Sequence, residues 1–564
     1  MKTIIVGGVA GGMSAATRLR RLLPQAEIVV FERGEHVSYA NCGLPYHVGG
    51  VIEQRDALLL QTPDSLRARF ALDVRVRTEV VAIDRDGHRV RVRDLDSGAE
   101  YDETYDTLVL SPGAAPIVPD LPGAERAMVL RSVADADRMV AAVAGGARTA
   151  VVVGGGFIGL EAAENLTRRG LAVTVVELGP QVLAPVDPEM VAAVHAELVA
   201  HGVDLRLGVG LAKILPDAVE LADGQVLAAD VVLLAIGVRP ETGLARAAGL
   251  TIGARGGIAV DAQLRTSDPC IYAVGDAAEK PDAVTGEAAL IPLANTANRQ
   301  GRLVADAIAG RPVRLGGRVG TAIVQVFGLT VAVTGANERR LRAAGHPYRA
   351  IHTHPGSHAG YYPGAESMSL KLLYDPADGT ILGAQAVGGA GVDKRIDVIA
   401  TAMRAGLRAE DLADLELAYA PAFGSAKDPV NMLGYIADNE RGGERRRQWY
   451  EVADAVAAGA VLLDVRSSAE HAHGHIPGSL NIPIDELRDR LDELPAADLI
   501  VYCEVGQRGH TATALLHGVG HAAANLDGGY RTWVAGTCRA GAAVRPTPAV
   551  VGGSVPVAGG GGQR

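Results

Sequence analysis

The chain has 564 residues, which at about 150 residues per domain predicts three or four domains. With 54 basic and 65 acidic residues, its formal charge of −11 argues against a dominant surface for nucleic acid or anionic membrane. Four cysteines exclude a disulfide-stapled secreted scaffold, and no apolar run approaches the roughly 20 residues of a membrane span. We therefore expect a cytoplasmic protein without a metal site, since no Cys-x-x-Cys pair is present.

The chain opens with a βαβ pattern. A strand over residues 2–6, a helix through Leu23 and a strand over residues 27–32 are predicted. The turn between the first strand and the helix is glycine-rich, but Val9 stands where a second fingerprint glycine is expected. The candidate nucleotide-binding residues here are Gly7, Gly8, Gly12 and Glu32.

The same pattern returns at residue 149 with an intact fingerprint. Gly154, Gly156 and Gly159 separate a strand from a helix, and Glu177 ends the following strand. The alternative, a glycine-rich turn in an ordinary α/β unit, is disfavoured by this full context. Glu177 favours NADH over NADPH because a carboxylate binds a free ribose, and Arg168 and Arg169 weaken that preference. Two such units imply two nucleotides, most economically a flavin and a nicotinamide.

The remaining elements follow in order. A strand and crossover are predicted at 107–116, which includes Gly113, and strands at 231–240 and 270–279, the latter ending at Gly275 and Asp276. Asp276 is a candidate to hydrogen-bond the ribityl chain of a flavin, and the alternative is an acidic residue in the turn at the end of the strand. Residues 323–440 carry strand-like runs and a helix from about 393 to 405, the charged segment 441–448 is a linker, and the tail 546–564 is predicted to be disordered.

Residues 1–440 resemble the two-dinucleotide-binding disulfide oxidoreductases, as SPGA (111–114) and AVGDAAE (273–279) also indicate. The resemblance implies an α/β protein: two Rossmann-like domains for FAD and NAD(P)H, and an α+β dimerisation domain that makes it a homodimer. A C-terminal α/β domain completes the fold. The boundaries expected for the FAD, NAD(P)H, dimerisation and C-terminal domains are 1–112 with 246–325, 113–245, 326–440 and 449–545.

The segment SYANCGLPYHVGG (38–50) narrows the family. Dithiol members carry two cysteines here, whereas this chain has Cys42 alone. This context resembles the coenzyme A disulfide reductases and their single-cysteine relatives, which include NADH oxidases, NADH peroxidases and coenzyme A persulfide reductases. A helix start after Cys42 is expected to lower its pKa and favour the thiolate. The alternative is a buried free cysteine, which is our interpretation of Cys270.

The resemblance also implies contacts to coenzyme A and to a partner subunit. The implied coenzyme A contacts are Ser14, Arg18, Arg21, Ser38, Asn41 and Asn298, although the arginines also fit a solvated basic face. From the dimerisation domain, Tyr361 and Tyr419, with Tyr362 as substitute for the first, are implied to reach the partner's active site, and Lys427 to meet a coenzyme A phosphate. A core or surface role is the alternative for each of these residues.

The C-terminal segments VLLDVRSSAEHAHGHIPGSLNIP (461–483) and VYCEVGQRGHTA (501–512) resemble a rhodanese domain. Cys503 opens a loop whose backbone amides can surround one sulfur, and Arg508 adds positive potential. Both are candidate catalytic residues, whereas Asp464, Arg466 and Glu470 are scaffold or rim positions. A rhodanese fold used for binding alone is the alternative, and Cys538 carries no motif.

Together these features predict an NAD(P)H-dependent flavoprotein that reduces coenzyme A disulfide, coenzyme A persulfide or polysulfide through Cys42, with sulfane sulfur relayed by Cys503. One alternative is an NADH oxidase or peroxidase in which Cys42 cycles through a sulfenic acid. The other is a sulfurtransferase whose flavin half is a scaffold.

Overall fold

Apolar runs such as TIIV and IVVF form a parallel sheet whose central strands are buried on both faces. Thr3 lies opposite Ile28 on one side and Thr107 on the other. The chain leaves this sheet after Leu110 and returns to it with its last strand. In spatial order the strands are Ile271–Ala273, Thr107–Leu110, Lys2–Val6, Glu27–Phe31 and Asp73–Arg75.

The computed structural model describes residues 1–537. A second parallel sheet repeats the first, with Val151 opposite Thr174 and Val232. Its strands in spatial order are Asp204–Leu207, Ala172–Glu177, Thr149–Val153 and Val231–Leu234. These two sheets belong to one unit, formed by residues 1–184 and 201–322.

Antiparallel strands and helices complete this first unit. The antiparallel sheets are Thr78–Asp84 with Arg89–Asp94 and Glu100–Thr104, Leu211–Ile214 with Ala218–Leu221 and Val226–Ala228, Ala114–Pro116 with Val238–Pro240, and Lys280–Pro281 with Ala288–Ala289. The helices are Ala10–Leu22, Leu44–Val48, Pro63–Phe70, Val133–Ala144, Phe157–Arg168, Gly243–Ala247 and Ala294–Ile308, with 3₁₀ turns at Asn41–Gly43, Arg55–Leu58, Ala124–Arg126 and Gly275–Ala277.

The second unit comprises residues 185–200 and the chain from 323 onward. Its antiparallel sheet has Ile351 opposite Leu372 and Leu370 opposite Ala386. The strands in spatial order are Ala322–Val326, Leu329–Gly335, Ile381–Gly388, Met368–Tyr374 and Arg349–Thr353. The helices of this part are Pro188–Ala200, Glu338–Ala343, Val392–Ala405 and Pro429–Arg441, with a 3₁₀ turn at Glu410–Asp414.

A parallel sheet forms the C-terminal part of the same unit. Its strands in spatial order are Arg446–Arg447, Ala523–Leu526, Leu499–Tyr502, Val461–Asp464 and Leu480–Asn481. The helices are Val452–Ala457, Ser468–His473, Gln507–Gly518 and Gly529–Thr537, with 3₁₀ turns at Trp449–Glu451, Leu487–Asp489 and Leu491–Glu493. The segment 441–448, expected as a linker, therefore supplies an edge strand to this sheet, with Arg446 paired to Asn525.

The predicted fold class is confirmed by these sheets. One grouping differs from expectation, since the helix Pro188–Ala200, which lies inside the expected NAD(P)H domain, belongs to the second unit. Cys538 and the tail 546–564, for which disorder was predicted, lie outside the described residues. Among residues 1–537, no helix is both long and apolar enough to cross a membrane.

Candidate active site: two nucleotide loops and two thiols

The first glycine-rich turn brings strand and helix into close contact. Gly7 has φ 104°, and a Cβ added there would overlap the carbonyl oxygen of Ser111. A Cβ at Gly12 would overlap the carbonyl oxygen of Gly7, so both positions require glycine although Val9 interrupts the fingerprint. Within residues 1–537, no side chain caps the N-terminus of the helix Ala10–Leu22, so its first amides remain for a phosphate.

The second turn repeats this geometry. Gly154 has φ 107°, and a Cβ at Gly159 would overlap the carbonyl oxygen of Gly154. A Cβ at Gly156 would meet open space, which is where a pyrophosphate approaches the backbone. Arg168 is paired with Glu164 at 2.7 Å, so this helix arginine is already engaged.

In each turn, two glycine amides hydrogen-bond the glutamate that ends or follows the second strand in the same way. Glu32 accepts the amides of Gly8 and Gly34, both at 2.8 Å. Glu177 accepts the amides of Gly155 and Gly179, both at 2.7 Å. The internal repeat seen in the sequence therefore extends to individual hydrogen bonds, and both loops fit a dinucleotide.

The predicted flavin residues further along the chain lie in left-handed turns. Gly113 has φ 75° and Gly275 has φ 78°, and the Gly275 amide donates to Gln300 Oε1 at 2.9 Å. The amide nitrogen of Gln300 is buried and has no hydrogen-bond partner among the described residues, which fits an absent ligand. Burial raises the pKa of Asp276, although Lys280 and Arg131 oppose this effect.

Lys280 was missed by the sequence analysis. Its side chain is 1% exposed, and its ammonium donates to the carbonyl oxygens of Gly275 and Ala278, both at 2.8 Å. Burial lowers its pKa to about 8, with Asp276 opposing. A lysine four residues after Asp276 carries no motif, so no sequence signal identified it.

Cys42 lies in the 3₁₀ turn Asn41–Gly43, which runs into the short helix Leu44–Val48. Its thiol is exposed and lies 3.8 Å from Asn41 Oδ1. The expected lowering of its pKa is wrong: surrounding protein atoms desolvate the thiol, and Glu161 and Asp276 raise the pKa further. A helix of five residues has too small a dipole to outweigh two carboxylates.

Glu161 links the cysteine turn to the second nucleotide loop. It lies on the helix Phe157–Arg168, two residues after Gly159, and accepts a hydrogen bond from Tyr46 Oη at 3.1 Å. A Cβ at Gly49 would overlap the side chain of Asn165, so these two helices pack closely. Burial raises the pKa of Glu161, while the hydrogen bond from Tyr46 lowers it. Sequence analysis missed this residue because its partner is 115 positions away.

Some of the candidate coenzyme A residues lie together. Ser14 Oγ donates to Asn298 Oδ1 at 2.6 Å, because Gly301 lets the helix Ala294–Ile308 pack tightly on the first helix. Arg18 is paired with Asp306 at 2.8 Å, whereas Arg21, one turn later on the same helix, is exposed. Ser38 has φ 49° and is half-buried, and Asn41 is exposed next to Cys42.

The candidate tyrosines form a pair on the second unit. Tyr361 and Tyr419 hydroxyls lie 2.9 Å apart, with the residues 77% and 49% exposed. Tyr362 is 45% exposed and Phe423 74% exposed. Lys427 is also exposed. Exposed aromatic residues grouped in this way are typical of an interaction surface.

Cys503 directly follows the strand Leu499–Tyr502 and is 1% exposed. The loop after it reaches Gly506, with φ 89°, which precedes the helix Gln507–Gly518. Arg508 binds both carboxylate oxygens of Glu470, at 2.6 and 2.9 Å. Its pKa is raised chiefly by that hydrogen bond and also by the Cys503 thiol that it faces. Arg508 and Cys503 therefore lie close to each other.

The scaffold residues of this site form their own cluster. Arg466 binds Asp464 at 2.8 Å and Glu504 at 3.1 Å, and its guanidinium lies 4.2 Å from the ring centre of Tyr530. The amide of Tyr530 donates to the carbonyl oxygen of Cys503 at 2.8 Å. These contacts hold the backbone on both sides of the thiol.

The pyridine nucleotide-disulphide oxidoreductase family matches residues 1–301, and its dimerisation domain matches residues 321–429. The rhodanese-like domain family matches residues 449–536. These matches, with two nucleotide loops and the exposed thiol of Cys42, define a FAD- and NAD(P)H-dependent oxidoreductase joined to a rhodanese-like domain.

Three relatives refine this assignment. A coenzyme A disulfide reductase of Staphylococcus aureus is 34% identical over 440 residues, 77% of this chain and 99% of that protein. The crystal structure of reduced Bacillus anthracis CoADR-RHD is 48% identical with TM-score 0.93, covering 95% and 98% of the two chains. The structure of an NAD-dependent persulfide reductase from A. fulgidus is 37% identical with TM-score 0.89, covering 94% and 100%. The chain therefore belongs to the pyridine nucleotide-disulphide oxidoreductases, in the branch of the coenzyme A disulfide reductases.

Proposed function

We propose that this protein reduces coenzyme A disulfide, coenzyme A persulfide and polysulfide with NAD(P)H, using Cys42 as the redox thiol. The observation that carries the proposal is the exposed Cys42 thiol, in a turn that leads into a short helix packed against the second nucleotide-binding helix. Of the other described cysteines, Cys270 lies half-buried near the first sheet and Cys503 is buried in the second unit. A single thiol suits a mixed disulfide with a substrate thiol rather than an internal disulfide.

The chemistry at Cys42 is a thiol–disulfide exchange followed by a two-electron reduction. The Cys42 thiolate attacks one sulfur of coenzyme A disulfide, the S–S bond breaks, and one coenzyme A leaves as a thiolate that takes up a proton. FAD held at the turn of Gly7 and Gly12, with NAD(P)H at the turn of Gly154 and Gly159, would supply two electrons at this thiol. Cleavage of the mixed disulfide then returns the Cys42 thiolate and releases the second coenzyme A thiolate. Overall, NAD(P)H, a proton and the disulfide give NAD(P)⁺ and two thiols.

The chain's own residues supply binding and protons. Asn41 lies beside the thiol, and the exposed guanidinium of Arg21 suits a phosphate of the nucleotide end of coenzyme A. The hydroxyl pair of Tyr361 and Tyr419 is suited to protonate the leaving thiolate. In this proposal the active enzyme is a cytoplasmic homodimer, with each tyrosine pair and Lys427 serving the partner's Cys42. The dimerisation-domain match and the exposure of these side chains support it.

The rhodanese-like domain feeds this site with sulfur. The Cys503 thiolate takes the outer sulfur of a donor such as thiosulfate, releasing sulfite and forming a persulfide. A coenzyme A thiolate then accepts that sulfur and regenerates the Cys503 thiolate. When Cys42 attacks the coenzyme A-bound sulfur of this persulfide, hydrosulfide leaves and the same mixed disulfide forms. The named coenzyme A disulfide and persulfide reductase relatives favour this function over an NADH oxidase and over a sulfurtransferase alone.

Anaerobic NADH oxidation by the purified flavoprotein tests the proposal. The acceptors are coenzyme A disulfide, coenzyme A persulfide, polysulfide and thiosulfate with coenzyme A, and the variants are C42S and C503S, with C270S as the matched control. We expect C42S to abolish turnover with every acceptor and C270S to leave it unchanged. C503S should slow turnover only when thiosulfate with coenzyme A is the sulfur source. NADH consumption that requires oxygen would contradict the proposal.

A further inference from the structure

A cluster of buried charged residues spans the antiparallel sheet and the rhodanese-like part of the second unit. The Lys371 ammonium, with no exposure, contacts Asp187 at 2.8 Å, Glu338 at 2.5 Å and also Glu189. These carboxylates are close enough to suit a divalent cation, but the lysine already lies among them. They therefore form an ionic support rather than a metal site.

His352 connects this support to the rhodanese-like part. Its ring donates through Nε2 to Glu189 at 2.9 Å and through Nδ1 to Asp527 at 2.6 Å. The backbone amide of His352 donates to the same Asp527 carboxylate at 2.9 Å. Arg446, at the edge strand of the rhodanese-like sheet, forms an ion pair with Asp527 from the other side. One carboxylate is therefore shared by the dimerisation sheet and the rhodanese-like sheet.

Asp527 stands directly before two glycines that form the turn under the Cys503 loop. Gly528 and Gly529 have φ 65° and 66°. A Cβ at Gly529 would overlap the carbonyl oxygen of Cys503 and lie 2.7 Å from the Gly506 nitrogen. A Cβ at Gly528 would lie 2.8 Å from His352 Cβ. With no space on either side, a displacement of Asp527 is transmitted to the loop that carries the thiol.

The buried charges of His352 and Asp527 make their ion pair sensitive to the loss of either residue. Burial alone would lower the pKa of His352, but the charge of Asp527 and hydrogen bonds to both carboxylates raise it to about 9, against repulsion from Lys371. Burial would raise the pKa of Asp527, but Arg446 and His352 lower it well below its usual value. Both groups are therefore charged at neutral pH, and the removal of one leaves the other buried with too little compensation.

We propose that His352 is a positioning residue for sulfur transfer at Cys503, acting through Asp527 and the Gly528–Gly529 turn. The dimerisation sheet of the reductase thus sets the geometry of the rhodanese-like loop. The inference rests on the proposed function of Cys503 as a sulfur carrier. His352 itself forms and breaks no bond in the reaction.

The experiment compares full-length wild type with His352→Gln, which keeps a donor but loses the charge and the second contact. His510→Gln is the matched control, because His510 also pairs with a carboxylate, but with Glu444 at 2.8 Å rather than with Asp527. Thiosulfate:cyanide sulfur transfer gives kcat and KM. The pH profile of Cys503 alkylation by iodoacetamide, measured on its peptide by mass spectrometry, reports the thiolate. NADH-dependent reduction of coenzyme A disulfide at Cys42 reports the integrity of the reductase.

We expect His352→Gln to lower kcat of sulfur transfer about tenfold, with KM for thiosulfate little changed. The reason is that a displaced Cys503 loop changes the position of the reacting sulfur more than it changes the binding of the donor. The Cys503 alkylation profile should move to higher pH, and reduction at Cys42 should stay at the wild-type rate. His510→Gln should change none of these. If His352→Gln does not fold, Asp527→Asn, which removes the buried negative charge instead, should give the same loss of kcat and the same direction of shift.

Wild-type kcat and an unchanged alkylation profile in both His352→Gln and Asp527→Asn would overturn the inference. An equal loss in His510→Gln would also overturn it, since any domain contact would then have the same effect. Failure of the proposed function looks different: wild type itself would neither transfer sulfur nor form a persulfide on Cys503 with thiosulfate. The alkylation profile would still test the positioning by His352 in that case.

Discussion

The charged groups that act on the Cys42 thiol are two carboxylates. Desolvation and the carboxylates of Glu161 and Asp276 raise its pKa, although the reaction needs a thiolate. This environment favours the thiol form of Cys42 over the thiolate. Glu161 is the neighbour most easily altered, because glutamine preserves its shape and its acceptor for Tyr46.

We predict that Glu161→Gln lowers the pKa of Cys42. Removal of a negative charge favours the thiolate, so alkylation of Cys42 by iodoacetamide at neutral pH should become about threefold faster. Its pH profile, followed on the Cys42 peptide, should move to lower pH. Glu164→Gln is the control, because Glu164 lies on the same helix but pairs with Arg168. An unmoved profile, or an equal shift in the control, would contradict this explanation.

Arg508 gives a second prediction, at the other thiol. Because its guanidinium faces Cys503 and is held by Glu470, Arg508→Met should lower thiosulfate:cyanide transfer roughly 10- to 100-fold. Arg508→Lys should retain part of the rate, since the charge remains but the bidentate contact is lost. Arg490→Met, at an exposed ion pair in the same domain, should have no effect. A wild-type rate in Arg508→Met would refute a role for this residue in sulfur transfer.

The glycines of a fingerprint motif meet two different requirements, which are close packing of the strand against the helix and space for the ligand. The structure of the glycine-rich turns shows which glycines lie in close packing and which face open space. Gly154 and Gly159 are required by packing inside the βα unit, whereas Gly156 faces open space, where the fingerprint pattern places a pyrophosphate. The first turn lacks the second fingerprint glycine and still packs in the same way, because Gly7 and Gly12 meet the packing demand. Glu32 and Glu177 each accept hydrogen bonds from two glycine amides, so this feature is also the same in both turns.

These two demands predict different defects for two alanine substitutions. Gly156→Ala should leave the melting temperature unchanged, since its φ of −78° suits alanine, but raise KM for NADH about tenfold by blocking the phosphate. Gly159→Ala should destabilise the unit by about 1–3 kcal/mol, because its Cβ overlaps a carbonyl oxygen. Thermal unfolding and NADH titration distinguish the two. The same defect in both variants would contradict the division.

Local motifs were predictable and long-range partners were not. The nucleotide turns, the Cys42 turn and the Cys503 loop are each encoded within about ten residues, so spacing identified them. Glu161 near Cys42, Lys371 near Asp187 and Asp527 near His352 are paired across 119, 184 and 175 positions, so no local pattern reveals them. The wrong sign for the pKa of Cys42 has this cause, since its carboxylate neighbours come from distant segments.

The candidate catalytic residues are divided between the two units. Cys42 and both nucleotide loops belong to the first unit, and the tyrosine pair belongs to the second. In the proposed homodimer, the pair serves the partner's thiol, which explains why these large aromatic side chains are exposed in one chain. Mixed dimers can distinguish this hypothesis from one in which the tyrosines serve the Cys42 thiol of their own chain.

We predict that mixed dimers of C42S and Y361F/Y419F regain activity. If the tyrosines act in trans, a mixed dimer has one site without its thiol and tyrosines, and one site with the thiol of one chain and the tyrosines of the other. Random assembly of equal amounts makes half of the dimers mixed, so coexpression should restore about a quarter of the wild-type rate of coenzyme A disulfide reduction. Separately expressed variants mixed just before the assay are the control. If the tyrosines act within their own chain, each site of the mixed dimer keeps a defect, and coexpression adds nothing beyond the residual rate of the parents.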